Sequence, residues 1–223
     1  MDKNIDIEKA KNSCSDYYDK EHLDYFNQYS DELIKKPYDK DFLDRFILSI
    51  KQKGNILDIG CCSTAQQARY FSGKGFNVTS IDLSKNCIQT AKQKFSKIDF
   101  RQMDMTEMEF EIESFDGINA FYSIIHIPDE KLNGLFADFN KMIKINGKIA
   151  ITVHAGDFYG YFDENETPVF YRTYTQNDLK GYLDKYGFKI IEINQRQPMY
   201  DFEFQSERIY LIAEKIKNMN ASG

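Results

Sequence analysis

The chain has 223 residues, of which 42% are hydrophobic and 29% charged, with a formal net charge of −6. That length and balance suit one well-cored domain, and no apolar run approaches the roughly 20 residues of a membrane-spanning helix. Basic residues are dispersed along the chain rather than gathered in a patch. A polyanion partner is thereby disfavoured, and the expected partner is a small molecule, with no nucleic acid and no membrane.

The opening MDKNIDIEKAKNS has no apolar core, so no secretory leader is expected and the cytoplasm is the expected compartment. The four cysteines, Cys14, Cys61, Cys62 and Cys87, form no C-x-x-C pair. His22, His126 and His154 lack ligand spacing, so no metal site is expected.

Residues 1–53 are polar and aromatic with helical spacing. In DKDFLDRFILSI, Phe42, Leu43, Phe46, Ile47 and Ile50 fall on one helical face, and Asp39 is the expected N-cap. Alternation then begins. Short β-rich runs at 55–60, 77–83, 98–104, 115–123 and 147–155 are separated by helical patterns at 64–74, 84–95 and 129–144. That order predicts an α/β fold, with a mostly parallel sheet covered by helices on both faces. The interval between Asp104 and Phe115 is too short for a long helix. GDFYGYFDENETPVFYRTYT then interrupts the alternation and reads as an aromatic lid loop. Thr175 with Asp178 forms a capping box for a helix to about residue 186, and Gly187 stops it. Two strands, 189–197 and 207–215, close the chain as an antiparallel pair. The expected organisation is one domain over 1–223: an N-terminal helical cap (1–53), a cofactor-binding core (54–155), and a lid, helix and strand pair (156–223).

Ligands in open α/β sheets sit beyond the carboxyl ends of the strands. Three consecutive strands here end in carboxylates: Asp58 in NILDIGCC, Asp82 in SIDLS and Asp104 in RQMDM. An acid at the second strand end is placed to accept hydrogen bonds from two ribose hydroxyls. A dehydrogenase would share that acid, but its G-x-G-x-x-G is absent, and no Tyr-x-x-x-Lys pair follows the fourth strand.

ILDIGC, GFNVTSIDLS, FRQMDM, FDGINAFYSIIHIPDEKL and MIKINGKIAI together resemble the successive motifs of the class I S-adenosylmethionine-dependent methyltransferases. DELIKKPYDKDFLDRF and DFEFQSERIYLIAEK are similar to a bacterial small-molecule-type subgroup. The resemblance implies a Rossmann-like seven-stranded sheet with an antiparallel last strand. It also implies methyl transfer from S-adenosylmethionine to an O or N nucleophile, with S-adenosylhomocysteine as product and a monomer or homodimer as the assembly. Asp58, Gly60, Cys61 and Cys62 would flank the methionine part and Asp82 the ribose. Leu83, Asp104 and Met105 would surround the adenine, and Tyr18 and Phe121 would complete the site.

The family's Gly-x-Gly-x-Gly is here Gly60, Cys62 and Thr64. Glycine serves where backbone approaches the ligand closely or takes positive φ. Small side chains replace it where φ is negative, and Ser63 or Thr64 is the expected cap of the next helix. Two readings follow: a tolerated variant that binds the cofactor, or a catalytically degenerate protein on the same fold. His126 and Tyr122, at the end of the fourth strand, are the candidate catalytic pair, since a histidine can take a proton near neutrality. His154, Tyr159, Tyr171 and Arg172 are the candidate acceptor-binding residues.

Overall fold

The computed structural model describes residues 5–50 and 54–219; the cap boundary placed at residue 53 lies outside them. In chain order the elements are α1 (Ile7–Tyr29), α2 (Glu32–Lys35), α3 (Pro37–Leu48), β1 (Asn55–Ile59), α4 (Gln66–Gly73), β2 (Asn77–Asp82), α5 (Lys85–Lys94), β3 (Asp99–Gln102) and β4 (Phe115–Phe121). A 3-10 turn (Ile124–His126) leads to α6 (Asp129–Met142), β5 (Ile143–His154), β6 (Tyr159–Glu164), β7 (Thr167–Arg172), α7 (Gln176–Lys185), β8 (Phe188–Arg196) and β9 (Arg208–Lys215). Seven strands form one sheet in the order β3-β2-β1-β4-β5-β9-β8. β1 to β5 pair in parallel, and β9 runs antiparallel to both β5 and β8. The order reverses between β1 and β4, which opens a crevice at their carboxyl ends.

Period-two alternation distributes the core over both faces. Ile56 packs with Phe46 of α3, Phe71 of α4 and Ile88 of α5. Leu57 and Ile59 pack with Phe136 of α6 and Leu179 of α7 on the other face. Phe46, Phe71 and Phe136 are fully buried, each contributing about 1.5–3 kcal/mol relative to exposure. α7 has the expected capping box between Thr175 and Asp178, and Gly187 takes φ +75° just past its end.

Three local expectations are corrected. Asp39 does not cap α3: Pro37 starts the helix, and Asp39 sits inside it, 3% exposed. Its carboxylate accepts from the Tyr210 hydroxyl (2.6 Å) and from Arg196 (3.3 Å). Neither Ser63 nor Thr64 caps α4; the helix starts after Ala65, which takes φ +44° and makes no side-chain cap. Residues 159–172 are not a loop but a two-stranded hairpin outside the main sheet, β6 against β7, turning at Asn165 (φ +47°) and Glu166 (φ +63°). Two positive φ values in a two-residue turn match the right-handed twist of the flanking strands.

Arg196 ends β8 inside a buried ion cluster. Its guanidinium donates to both Glu203 carboxylate oxygens (2.8 and 3.0 Å) and to the Tyr210 hydroxyl (2.8 Å), and lies 4.8 Å from the Tyr38 ring centroid. Burial raises the Glu203 carboxyl, but the Arg196 hydrogen bonds and the Met199 N–H outweigh it and hold it at about 2. For Asp39 burial wins over Tyr210, Lys36 and Arg196, and its pKa is raised.

Candidate active site

The turn after β1 carries the altered glycine positions. Gly60 takes φ +75°, and a Cβ there would come 2.4 Å from Cβ of Ser123, so no larger residue fits without moving β4's exit. Cys62 takes φ +51°, so the glycine-like conformation persists at a cysteine; the expectation that a replacement needs negative φ is not met. A non-glycine residue there costs roughly 1–2 kcal/mol, which local contacts must offset. Two are present: the Cys62 N–H donates to Asp82 Oδ2 at 2.8 Å, and its Sγ lies 3.5 Å from Sγ of Cys87.

Asp82 ends β2 with Oδ1 accepting from the Ser84 N–H at 2.8 Å. Burial pushes its carboxyl up to about 6, against the lowering effect of the Ser84 and Cys62 N–H groups. Each oxygen accepts one of these hydrogen bonds and has capacity to accept another. Asp58 lies behind the turn, 2% exposed, bonded by Asn119 Nδ2 (2.6 Å) and Ser80 Oγ (3.2 Å). It does not line the cleft, and burial raises it to about 6. Asp104 follows β3. Burial would raise its carboxyl, but hydrogen bonds from Lys11 (2.7 Å) and Thr106 outweigh that and lower it.

The β1 turn, Asp82 and Asp104 line one cleft with about 1200 Å³ of free space, open to solvent. Gly60, Cys61 and Cys62 form one wall; Leu83 and Met105 flank an apolar slot beside Asp104; Phe121, Tyr122 and His126 close the β4 end. α1 roofs it through Lys11, Cys14 and Tyr18. The helix is pinned there by Asp19, which accepts from the Asn86 N–H (2.9 Å) and the Ser84 hydroxyl. Lys11, Cys14, Asp19, Tyr25 and Ser123 were missed in the sequence. Those from α1 are brought by a packing contact with no local signal; Ser123 is legible only as the neighbour of a glycine with positive φ.

Tyr122 takes φ +52°, and its hydroxyl lies 3.2 Å from that of Tyr210. His126 is 8% exposed and donates from Nδ1 to the Phe170 carbonyl of β7 at 2.9 Å. Its Nε2 therefore accepts from the Tyr18 hydroxyl at 3.2 Å. Burial pushes His126 down to about 4 and His154 to about 3. Tyr171 and His154 line a second cavity, which shares Tyr18, Tyr122 and His126 with the first. Tyr159 and Arg172 line neither cavity. The Tyr159 hydroxyl accepts from the Asp129 N–H (3.2 Å), and Arg172 pairs with the Asp129 carboxylate and stacks 3.9 Å over Tyr174.

Residues 56–147, which run from β1 through β4 and carry the cleft's strand-end walls but not its α1 roof, match the family model described as a methyltransferase domain. The chain has the fold of the class I methyltransferases. The methyltransferase fold recurs in solved structures. A 1,6-didemethyltoxoflavin-N1-methyltransferase of Burkholderia thailandensis, with bound 1,6-didemethyltoxoflavin and S-adenosylhomocysteine, superposes with a TM-score of 0.72 at 15% identity, covering 96% of this chain and 92% of that one. A SAM-dependent methyltransferase from Methanosarcina mazei gives 0.69 at 18% identity, covering 76% and 96%. Among curated relatives, phosphoethanolamine N-methyltransferase 2 of Caenorhabditis elegans is 29% identical over 164 residues, 70% of this chain and 37% of that one. The chain spans between 33% and 56% of the length of three such relatives. No helix among the described residues is long and apolar enough to cross a membrane.

Proposed function

We propose that the protein transfers a methyl group from S-adenosylmethionine to a small-molecule acceptor. The observation that carries this reading is the pair of cavities meeting at Tyr18, Tyr122 and His126, one of them ending in the Asp82 carboxylate. The residues fit the cofactor: Asp82 offers acceptors for two hydroxyls, Leu83 and Met105 an apolar slot, and the Gly60–Cys62 turn a close backbone wall. When bound, the cofactor supplies an activated methyl on a sulfonium. The chain's own task is then alignment and exclusion of water. Nothing in the turn's geometry favours the degenerate alternative, since Cys62 holds a glycine-like conformation and lends its N–H to Asp82.

His126 acts here as a positioning group. Its Nε2 is taken by Tyr18, so an acceptor meets the Tyr18 oxygen rather than the imidazole. With its pKa near 4, His126 stays neutral through the working range. The kcat profile is therefore expected to show no histidine limb between about pH 5.5 and 9. A limb near pH 6.5 that disappears in His126→Asn would contradict this role.

Calorimetric titration of the cofactor-stripped protein tests the proposal. S-adenosylmethionine and S-adenosylhomocysteine are both expected to bind in the micromolar range, about −8 kcal/mol. A folded protein that binds neither would sink it.

A further inference from the structure

The second cavity has about 1240 Å³ of free space and an uneven chemistry. Tyr17, Tyr18, Tyr25, Tyr29 and Tyr171 line it. Tyr18 and Tyr25 meet edge to face at 5.8 Å, and Tyr25 lies 4.5 Å from Tyr29, so several rings surround one space. Four carboxylates stand on its wall: Glu21 and Asp24 from α1, Glu32 from α2 and Glu164 from the β6–β7 hairpin.

Two cations also reach this wall, each beside a carboxylate, and the Arg208 Nε keeps no hydrogen bond. Lys36 pairs with Glu32 and lies 4.0 Å from Glu203. Arg208 donates to the Ser206 and Phe204 carbonyls at 2.7 and 2.8 Å, with Nε 3.7 Å from Glu203. Among the described residues, Glu21 is met by the exposed Lys20 at 3.2 Å and by no other cation. No ion pair among the described residues neutralises Asp24 or Glu164, and burial raises the Glu164 carboxyl. A second, independent feature points inward. His154 is 6% exposed, its Nδ1 is 2.6 Å from the Ser206 hydroxyl, and its Nε2 has no hydrogen-bond partner among the described residues. That ring is neutral, because burial depresses its pKa to about 3, so Nε2 offers a lone pair.

Aromatic faces attract cations through the ring quadrupole, and carboxylates at a rim concentrate them. An anionic group would meet Asp24 and Glu164 without an ion-pair partner among the described residues, beside Glu21 and Glu32, which are already paired. We infer that the methyl acceptor is a small organic cation, an amine without an acidic group, held among these tyrosines with its nitrogen toward Tyr18. This inference rests on the methyl-transfer reading above. The chemistry balances: the ammonium first sheds one proton to water at the rim. The neutral nitrogen then forms the N–C bond as the C–S bond breaks, and that electron pair stays on sulfur.

Titration of the protein saturated with S-adenosylhomocysteine tests it, using tyramine, its neutral counterpart tyrosol, its anionic counterpart 4-hydroxyphenylacetate, and phosphoethanolamine beside ethanolamine. Tyramine is expected to bind at least about tenfold more tightly than tyrosol, with 4-hydroxyphenylacetate weakest, and ethanolamine more tightly than phosphoethanolamine. The double variant Glu21→Gln with Glu164→Gln is expected to weaken tyramine about five- to tenfold and leave S-adenosylhomocysteine unchanged. Equal affinity across the set, no binding of either amine, or preference for an anionic probe overturns the inference while cofactor binding, and with it the methyl-transfer reading, stands. Failure of S-adenosylhomocysteine to bind removes both.

Discussion

Arg196→Ala is expected to cost about 3–5 kcal/mol of folding stability, because it strands two buried carboxylates. Asp39 and Glu203 are each 3% exposed, and Arg196 reaches both. Their attraction to the guanidinium offsets a desolvation cost that remains in full when the arginine goes. The cluster joins α3, β8, β9 and the segment that carries Glu203, so no single element can relax around the gap. At about 2–4 °C per kcal/mol for a chain of this size, the melting midpoint should fall by roughly 6–20 °C. Denaturant unfolding gives the direct measure, and a loss below about 1 kcal/mol would show that the cluster is already hydrated. The pH dependence carries a signature. Glu203 is held at about 2, below its unfolded value, so its contribution is present above that unfolded value and is lost as pH falls toward 2. In Arg196→Ala this acid sensitivity should shrink.

Asp82→Ala is expected to weaken cofactor binding by about 1.5–3 kcal/mol, roughly 10- to 150-fold in Kd. The loss has two sources: two hydroxyl acceptors disappear, and the Cys62 and Ser84 N–H groups lose the carboxylate that orients them. Asp82 sits at about 6 without ligand, well above an ordinary aspartate. Between the unfolded value and 6 the folded chain retains a proton that the unfolded chain has released. The cost of burying the charge is therefore present above pH 6 and relieved as pH falls through it. Hydroxyl donors favour the ionised form, so affinity should fall below pH 6, approaching about tenfold per pH unit. Calorimetry of wild type and variant at pH 5 and 8 reads both effects; an unchanged Kd in a folded Asp82→Ala would end the ribose assignment.

The parallel sheet was legible because its signals are local. β1 and β2 are short β-branched runs closed by an acid and a turn, and α7 announces itself by the Thr175–Asp178 box. What was missed depends on partners far along the chain. Asp39 looked like a cap from its neighbours, yet Tyr210 and Arg196, more than 150 residues away, decide its place inside α3. The hairpin lacked the Asn-Gly that marks a type I′ turn, since Asn165-Glu166 takes the same conformation without glycine. Cys62 likewise holds a positive φ that its neighbours do not signal, supported by Asp82 and Cys87. Of the site, the strand-end residues Asp82 and Asp104 could be read in advance. The roof from α1 could not, because an amphipathic helix does not state which surface it covers.

That roof has a thermodynamic consequence. α1 holds Asp104 through Lys11 over one cavity and supplies Tyr17 and Tyr25 to the other, so one helix would contact both proposed ligands. Whichever ligand arrives first pays the entropy of seating the helix, and the second finds it seated. The two sites should therefore reinforce each other by the same factor in both directions: the gain in acceptor affinity on adding S-adenosylhomocysteine must equal the gain in S-adenosylhomocysteine affinity on adding acceptor.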